Sequence, residues 1–304
     1  MSKLTQLLCL ADLNKDQLNG LLELALEIKR QPAKYQHALA GKSIALLFEK
    51  PSLRTRVSFD VGINKLGGHS VYLDQQNGAL GVRETVEDFG SNLACWTDAI
   101  VARVYQQKTL EQLAASSKKP VINALSDLYH PCQALADLLT LKEHYADLTQ
   151  VHLAFVGDGN NVCNSLLLGA AILGMRMTVV TPQGFAPNVM VQQKALAFAE
   201  VSGAKLVFSS DLAAIADADA VYTDTWLSMG SKNDPTAIEP LFRPYQINSD
   251  LMQRFALKHF MHCLPAHRGL EVTSEVLDSA QSLVLQQAEN RMHAQNAVLV
   301  NIFS

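Results

Sequence analysis

The chain has 304 residues, of which 48% are hydrophobic and 18% charged, and its formal net charge is −4. This length favours about two domains, each with enough apolar residues for a core of its own. A mildly acidic protein has no overall positive charge to attract nucleic acid or an anionic membrane, so any anionic ligand must be bound by local positive groups.

The first half of the chain alternates short apolar runs with helical patterns. Asn14 and Gln17 form a capping-box signature in front of an apolar stripe, which predicts an opening helix. Strands are predicted at residues 43–48, 69–73, 99–104 and 120–124, and helices after residue 52, over 86–96 and over 110–115. The motif HPCQ (130–133) then begins a helix, with Pro131 in its first turn. Such alternation is typical of a parallel sheet covered by helices.

A charged and polar stretch at 142–150 separates this series from a second one. The sequence therefore predicts domains at 1–145 and 146–287. In the second domain, strands are predicted at 151–157, 175–180, 205–208, 220–224, 260–265 and 282–287, and helices at 161–173, 189–201 and near 249–257. A last helix is predicted over 288–303. The predicted fold class is α/β, with two domains that are each a parallel sheet covered by helices.

Polar motifs follow the predicted strands at their carboxyl ends. They are SLRTR (52–56), Arg103, HPCQ, GDGNN (157–161), DTWLSMG (224–230) and HCLPAHRG (262–269). Open parallel sheets bind ligands at that edge. The pattern predicts that the polar motifs of both domains face one crevice between them.

The motif SLRTR indicates a phosphate site. It stands between a buried strand and a helix start, where free backbone N–H groups and the positive end of the helix dipole meet the hydroxyls of Ser52 and Thr55 and the guanidinium groups of Arg54 and Arg56. The alternative is an ordinary capped helix with solvated arginines.

Three further side chains fit a substrate that carries an anion and an amide-like group. Arg103 ends an apolar run, and a buried arginine needs an anionic partner. His130 and Gln133 can direct an imidazole and an amide toward one point, as a neutral carbonyl and amine require. The alternative for HPCQ is simply a helix that starts with proline.

The motif GDGNNV is similar to a dinucleotide-binding turn but lacks two of its features. Val162 occupies the third glycine position, and no acidic residue ends the next strand. The sequence therefore argues against a nucleotide cofactor.

HCLPAHRG allows two other hypotheses. His262, Cys263 and His267 could bind zinc together with His130 and Cys132, or Cys263 could be a nucleophile with a histidine base. Paired zinc-ligand spacings are missing, and a nucleophile would usually stand at a helix start rather than before Leu264-Pro265.

Five stretches, PSLRTR, HPCQ, GDGNNVCNS, DTWLSMG and HCLPAHRG, resemble the motifs of the aspartate/ornithine carbamoyltransferase family, in the family's order and over nearly the whole chain. HCLPAHRG and DTWLSMG resemble the ornithine branch. The resemblance implies transfer of the carbamoyl group of carbamoyl phosphate to the δ-amine of L-ornithine, giving L-citrulline and phosphate. It implies no metal and no organic cofactor, a final helix (288–304) that packs on the first domain, and a homotrimer or a multiple of trimers.

The resemblance also implies roles for particular residues. Catalytic roles are implied for Arg54, Thr55, Arg103, His130, Asp224 and Cys263. Carbamoyl-phosphate contacts are implied for Ser52, Leu53, Arg54, Thr55, Arg103, His130, Gln133 and Arg291. Ornithine contacts are implied for Asn161, Asp224, Ser228, Met229, Cys263 and Leu264.

The chain departs from the family pattern at one position. Ala79 stands where many ornithine enzymes have a Gln or His that reaches the neighbouring subunit, and Gln75 or Gln76 is a possible substitute. Two alternative functions remain open: carbamoyl transfer to an acylated ornithine or another amine, and a non-catalytic anion or amino-acid sensor on the same fold.

The cellular compartment is predicted from two features. Residues 1–31 lack the pattern of a secretory signal, and no stretch reaches the about 20 apolar residues that span a bilayer. The five cysteines are scattered without a C-x-x-C pair, which argues against a disulfide framework. We therefore expect a cytoplasmic protein with reduced thiols.

Overall fold

The computed structural model describes residues 2–74, 80–226 and 234–304. The chain divides into two compact units: unit 1 comprises residues 1–139 and 290–304, and unit 2 comprises residues 140–289. In the described ranges, no helix combines the length and the apolar character that crossing a bilayer requires.

Unit 1 contains a four-stranded parallel sheet. Its strands are β1 (Ser43–Phe48), β2 (His69–Leu73), β3 (Ala99–Arg103) and β4 (Val121–Leu125), in the spatial order β2-β1-β3-β4. Its helices are α1 (Lys15–Arg30), α2 (Pro32–Tyr35), α3 (Leu53–Lys65), α4 (Val86–Leu93), α5 (Gln107–Ser117) and most of α6 (Pro131–His144).

The two central strands of unit 1 show why the sequence forms this sheet. Every residue of β3 is buried, and so is every residue of β1 after Ser43. Continuous apolar runs are characteristic of parallel strands that are covered on both faces. The predicted capping box of α1 is confirmed, because Asn14 Oδ1 accepts from the Gln17 N–H (2.9 Å) and Gln17 Oε1 accepts from the Asn14 N–H (3.0 Å).

Unit 2 contains a five-stranded parallel sheet. Its strands are β5 (His152–Val156), β6 (Arg176–Val180), β7 (Lys205–Ser209), β8 (Ala220–Thr223) and β9 (His259–His262), in the order β7-β6-β5-β8-β9. Its helices are α7 (Asn161–Leu173), α8 (Val189–Ser202), α9 (Pro235–Phe242), α10 (Ser249–Arg254) and α11 (Ser274–Leu277). The last helix, α12 (Val284–Phe303), begins in unit 2 and ends in unit 1. The predicted α/β class, with two parallel sheets covered by helices, is confirmed.

Each sheet reverses its strand order at one place. In unit 1 the reversal lies between β1 and β3, and in unit 2 between β5 and β8. Connections leave such a switch point toward opposite sides and open a cleft at the carboxyl ends of the two strands. The turn after β1 and Arg103 at the end of β3 therefore share one edge of unit 1, and the turn after β5 and Asp224 after β8 share one edge of unit 2.

The structure corrects two of the predicted elements. Residues 282–287 are not a strand: Ser282 makes a single bridge to Phe260, and α12 begins two residues later. The apolar run reflects this brief pairing with β9, followed by the buried side of a helix start. The helix predicted over 86–96 ends at Leu93, and Trp96, which lies beyond its end, is 70% exposed.

Candidate active site

The first group of predicted site residues lies at the start of α3. Ser52 is the N-cap: its Oγ accepts from the Thr55 N–H (3.4 Å) and donates to Thr55 Oγ1 (3.0 Å). Leu53 and Arg54 occupy the first turn and are exposed, whereas Thr55 is fully buried. This helix start thus offers unpaired first-turn N–H groups, two hydroxyls and an exposed guanidinium, which suit an anion.

Arg56 points elsewhere. Its guanidinium carbon lies 3.8 Å from the centroid of the Tyr72 ring, a cation–π contact within unit 1. Of the two arginines in SLRTR, Arg54 is therefore the one whose side chain is not engaged by an aromatic ring.

His130 is buried beside two arginines. It is 4% exposed, as are Arg103 at the end of β3 and Arg291 in α12. Burial, together with the positive charges of Arg291 and Arg103, lowers the pKa of His130 well below its usual value. The imidazole is therefore neutral at physiological pH, and it can donate one hydrogen bond without adding charge.

Arg291 connects three helices of unit 1. Its Nη2 donates to Thr55 Oγ1 (2.9 Å) in α3, and its Nη1 donates to Gln133 Oε1 (3.0 Å) in α6. The structure thus brings Ser52, Thr55, Gln133 and Arg291 into one hydrogen-bonded network. Arg103 and His130 lie close to this network, because the charges of Arg291 and Arg103 both lower the pKa of His130.

The second group of site residues surrounds Asp224 in unit 2. The two carboxylate oxygens of Asp224 accept from Asn160 Nδ2 (2.7 Å), the Thr225 N–H (2.8 Å) and Cys263 Sγ (3.0 Å). Asn160 Oδ1 meanwhile accepts from the N–H groups of Val162 and Cys163, so Asn160 caps the start of α7. The Asp224 carboxylate therefore connects, through hydrogen bonds, the turn after β5, the end of β8 and the residue after β9.

Asn161 and Leu264 lie next to these partners in the chain. Asn161 is half-buried and is the first residue of α7, directly after the cap. Leu264 follows Cys263 in a left-handed conformation, with φ of 57°, and its N–H donates to His262 Nδ1 (2.9 Å). A non-glycine residue held at positive φ shows that the surrounding bonds determine this turn.

A second carboxylate, Asp158, contributes to the electrostatics of this edge. Burial and the neighbouring negative charge of Asp224 raise the pKa of Asp158 to about 7. Unit 2 therefore has at this edge a carboxyl group, Asp158, that loses its proton near neutral pH. Such a site favours a cationic ligand as the pH rises.

The glycine in the same turn, Gly159, allows a close approach within the chain itself. A Cβ at Gly159 would lie 2.3 Å from Pro187 N and 2.5 Å from Ala186 C. The close approach that Gly159 allows is to the chain's own backbone at residues 185–187, where a dinucleotide fold would admit a pyrophosphate. The structure thus gives a physical reason for the glycine that needs no cofactor.

Among the described residues, Asp224, His262 and Cys263 offer ligand atoms that all lie within 4.8 Å of one another. Both ring nitrogens of His262 have neighbours: Nδ1 accepts from the Leu264 N–H, and Nε2 lies 3.3 Å from Glu271 Oε1. The thiol of Cys263 donates to a carboxylate rather than to an imidazole. This arrangement suits a hydrogen-bonded pocket wall better than a metal site or a nucleophile–base pair.

Some predicted residues lie outside the part of the chain that the structure describes. These are Ser228 and Met229 in DTWLSMG, and Ala79 with its possible substitutes Gln75 and Gln76. Two described residues beside the site, Asp137 and Glu271, were not singled out from the sequence. Asp137 follows Gln133 by one helical turn, a spacing that could have indicated a contact.

Comparison with known proteins identifies the family. The carbamoyl-P binding domain model of aspartate/ornithine carbamoyltransferase matches residues 5–143, and the Asp/Orn binding domain model matches residues 149–302. The chain belongs to the aspartate/ornithine carbamoyltransferase family. The resemblance seen in its motifs is thus confirmed.

Individual relatives cover almost the entire chain. An ornithine carbamoyltransferase of Shewanella oneidensis is 61% identical over 297 residues, which are 98% of this chain and 99% of the relative. One of a Vibrio species is 56% identical over 296 residues, 97% of this chain and 98% of the relative. The structure of ornithine carbamoyltransferase from Pyrococcus furiosus superposes with a TM-score of 0.95 at 44% identity, covering 100% of this chain and 99% of the other.

The lowered pKa of His130 predicts a pH effect on stability. His130 resists protonation in the folded protein but titrates near about 6.5 when unfolded, so unfolding takes up a proton in acid. The stability that the folded protein keeps while His130 is neutral is fully present above about pH 6.5, the pKa of the unfolded state. It is lost as the pH falls toward the folded-state pKa. We expect His130→Gln to show a smaller decrease in Tm than the wild type between about pH 7.5 and about pH 5, a range that spans the free histidine pKa of about 6.5.

Thermal denaturation across that range measures the effect. The Tm of the variant should still fall somewhat with decreasing pH, because His152 and His259 also have lowered pKa values. His37→Gln, at a histidine outside this site, is the control and should follow the wild type. Equal slopes for the wild type and His130→Gln would contradict the prediction.

Proposed function

We propose that the protein transfers the carbamoyl group of carbamoyl phosphate to the δ-amine of L-ornithine, forming L-citrulline and phosphate. The observation that carries the proposal is the pairing of two matched domains, one for carbamoyl phosphate and one for aspartate or ornithine, with relatives named for the ornithine reaction at 61% and 56% identity. In the reaction the amine lone pair forms a C–N bond, the C–O bond to phosphate breaks, and the amine releases a proton.

Unit 1 supplies the groups for carbamoyl phosphate. We assign the phosphate to the start of α3, where Ser52, Arg54 and Thr55 stand with the first-turn N–H groups, and to Arg103. A phosphate that accumulates charge as it leaves is stabilised by such fixed donors. Leu53 contributes its backbone at this turn.

The carbamoyl group itself needs donors that match a carbonyl and an amide-like nitrogen. We assign its oxygen to Thr55, Arg103 and His130, which stabilise the oxyanion of the tetrahedral intermediate. A neutral His130 fits this role because it donates a hydrogen bond while leaving the cationic charge to the arginines. Gln133 faces the carbamoyl nitrogen, and Arg291 holds both Gln133 and Thr55 in place.

Unit 2 supplies the groups for ornithine. We assign the amino groups of the substrate to Asp224, and the lining of the amine site to Asn161, Cys263 and Leu264, together with Ser228 and Met229 of the same chain. The carboxylate of Asp224 accepts from three donors of the protein itself, which hold it in position. Fixed groups lower the cost of orienting the nucleophile.

We also propose that the protein is cytoplasmic, a placement that its cysteines support. All five cysteines are free, and three of them, Cys9, Cys132 and Cys163, are buried. Free thiols in this number are typical of a reducing compartment.

We propose that the protein forms a homotrimer or a multiple of trimers. The outer face of α3 presents Leu53, Val57 and Val61, which are 75%, 48% and 40% exposed. Their spacing of four residues places them in one stripe, and adjacent exposed apolar side chains indicate a surface that another molecule covers.

The activity has a direct test. Arg54→Ala is expected to reduce kcat/KM for carbamoyl phosphate by about two orders of magnitude or more, because a charge-assisted contact to the departing phosphate is lost. Arg54 is exposed, so the Tm should not change. Citrulline formed from carbamoyl phosphate and ornithine is the readout, with N-acetylornithine and other amines offered in parallel.

Lys65→Ala is the matched control, because it removes one positive charge from the last turn of the same helix. A near-normal rate for Arg54→Ala contradicts the phosphate assignment. Absence of citrulline in the wild-type assay, with or without product from an acylated amine, contradicts the proposed function.

The amine site predicts a second result. Cys263→Ser and Asp224→Asn should each raise KM for ornithine by roughly tenfold or more and change KM for carbamoyl phosphate little, since each disturbs the Asp224 cluster. Wild-type kcat/KM for ornithine should rise from neutral to alkaline pH, because the reactive amine is the neutral form and a lysine-like amine titrates near about 10.4. Deprotonation of Asp158 near pH 7 acts in the same direction on substrate binding.

Steady-state kinetics with each substrate varied in turn provides the measurement. Cys95→Ser is the control, because Cys95 is an exposed cysteine in unit 1. Equal effects on both substrates, or a flat pH profile, would show that these residues have been assigned to the wrong substrate.

The proposed assembly predicts a third result. Val57→Glu places a charge in the apolar stripe of α3 and should shift the protein from trimer to smaller species in light scattering, because burying an unpaired charge is costly. Val201→Glu, at a valine of α8 that is 90% exposed, should leave the mass unchanged. A wild-type protein that is monomeric at working concentration removes this proposal.

A further inference from the structure

Gln133 has a second partner inside unit 1, the carboxylate of Asp137. The two residues are four positions apart in α6 and therefore lie on the same side of the helix. Gln133 Nε2 donates to Asp137 Oδ1 at 2.8 Å. Gln133 is 1% exposed and Asp137 0%, so neither side chain can rely on bulk water.

The neighbours of Gln133 determine which way its amide faces. A carboxylate only accepts hydrogen bonds and a guanidinium only donates them. The amide nitrogen must therefore face Asp137, and the amide oxygen must face Arg291. The opposite orientation would set oxygen against carboxylate and N–H against guanidinium, two repulsive contacts in a buried site.

The same bonds extend from Asp137 to the phosphate turn. Gln133 Oε1 accepts from Arg291 Nη1, Arg291 Nη2 donates to Thr55 Oγ1, and Thr55 Oγ1 accepts from Ser52 Oγ. The carboxylate of Asp137 thus fixes the orientation of the Gln133 amide. That amide in turn holds the Arg291 guanidinium against the Thr55 hydroxyl in the first turn of α3.

We infer that Asp137 is a positioning residue for carbamoyl phosphate: by accepting from the Gln133 amide it holds the amide oxygen toward Arg291 and so sets the donors of unit 1. Asp137 acts through Gln133. This inference rests on the proposed function, because it concerns the substrate assigned to unit 1.

The inference predicts a substrate-specific defect. Asp137→Ala removes the acceptor of the Gln133 Nε2 hydrogen bond and so allows the amide to rotate. KM for carbamoyl phosphate should rise roughly tenfold or more, the usual effect of one lost buried hydrogen bond, while KM for ornithine stays within about twofold. Asp137→Asn retains an oxygen acceptor of the same size, and its KM values should stay within about threefold of the wild type.

A double-mutant cycle tests whether Asp137 acts through Gln133. In a Gln133→Ala background, adding Asp137→Ala should change KM for carbamoyl phosphate by less than about twofold, because the amide to be oriented is gone. If Asp137→Ala does not fold, Asp137→Leu fills a similar volume without an acceptor and replaces it in the cycle.

Asn301→Ala is the matched control for general damage to unit 1. Asn301 is 4% exposed, lies in α12 and accepts from the Leu4 N–H at 2.8 Å, away from the network. It should lower the Tm and leave both KM values unchanged. Additive effects of Asp137→Ala and Gln133→Ala, equal increases in both KM values, or an Asp137→Asn variant as impaired as Asp137→Ala would each overturn the inference.

These outcomes are separable from failure of the proposed function. A wild-type protein that makes no citrulline refutes the function. A wild-type protein that makes citrulline, with an Asp137→Ala variant that matches it in KM for carbamoyl phosphate, refutes only the role of Asp137.

Discussion

The constraint on which unit 1 depends is the burial of the Arg291 guanidinium. A positive group that is 4% exposed must find acceptors for its N–H groups, because a buried polar group without a partner destabilises the fold. Thr55 and Gln133 provide two of those acceptors, and each is on a different helix. The need to satisfy one side chain therefore fixes α3, α6 and α12 relative to one another within the unit.

Burial also determines the charge state of the His130 imidazole near Arg291. The burial of His130, together with the positive charges of Arg291 and Arg103, makes protonation of its imidazole unfavourable, so two cations and a neutral donor lie there rather than three cations. Unit 2 shows the opposite case. Asp224 is surrounded by donors, and its charge raises the pKa of Asp158. Two buried arginines thus lie near a neutral imidazole in unit 1, and two carboxyl groups lie near the switch point of the sheet in unit 2.

Local signals in the sequence predicted much of this arrangement. The site turns could be found because each is a polar break directly after an apolar run, a pattern that depends only on residues near in the chain. The cap at Asn160 and the capping box of α1 are local as well. The strand predicted at 282–287 was wrong because a short apolar run does not distinguish a strand from a buried helix start, and the single bridge at Ser282 depends on a distant partner, Phe260.

Long-range bonds could not be predicted in this way. Nothing near Arg291 in the sequence indicates that it meets Thr55 and Gln133, which are 236 and 158 positions away. Family resemblance placed Arg291 at the carbamoyl-phosphate pocket, but its partners, and the orientation of the Gln133 amide, follow from donors and acceptors seen only in the folded chain. Asp137 was overlooked because a single acidic residue inside an apolar helix has many structural explanations.

The discontinuity of unit 1 has a consequence for the chain as it leaves the ribosome. Residues 1–139 are synthesised first, unit 2 follows, and only then does the segment that contains Arg291 appear. Translation at about 5–20 residues per second separates Gln133 from Arg291 by roughly 8–30 seconds. During that interval Thr55 and Gln133 lack their Arg291 partner, and a nascent chain has no complete pocket for carbamoyl phosphate. Unit 2 is continuous in the chain, so it can fold before unit 1 is complete.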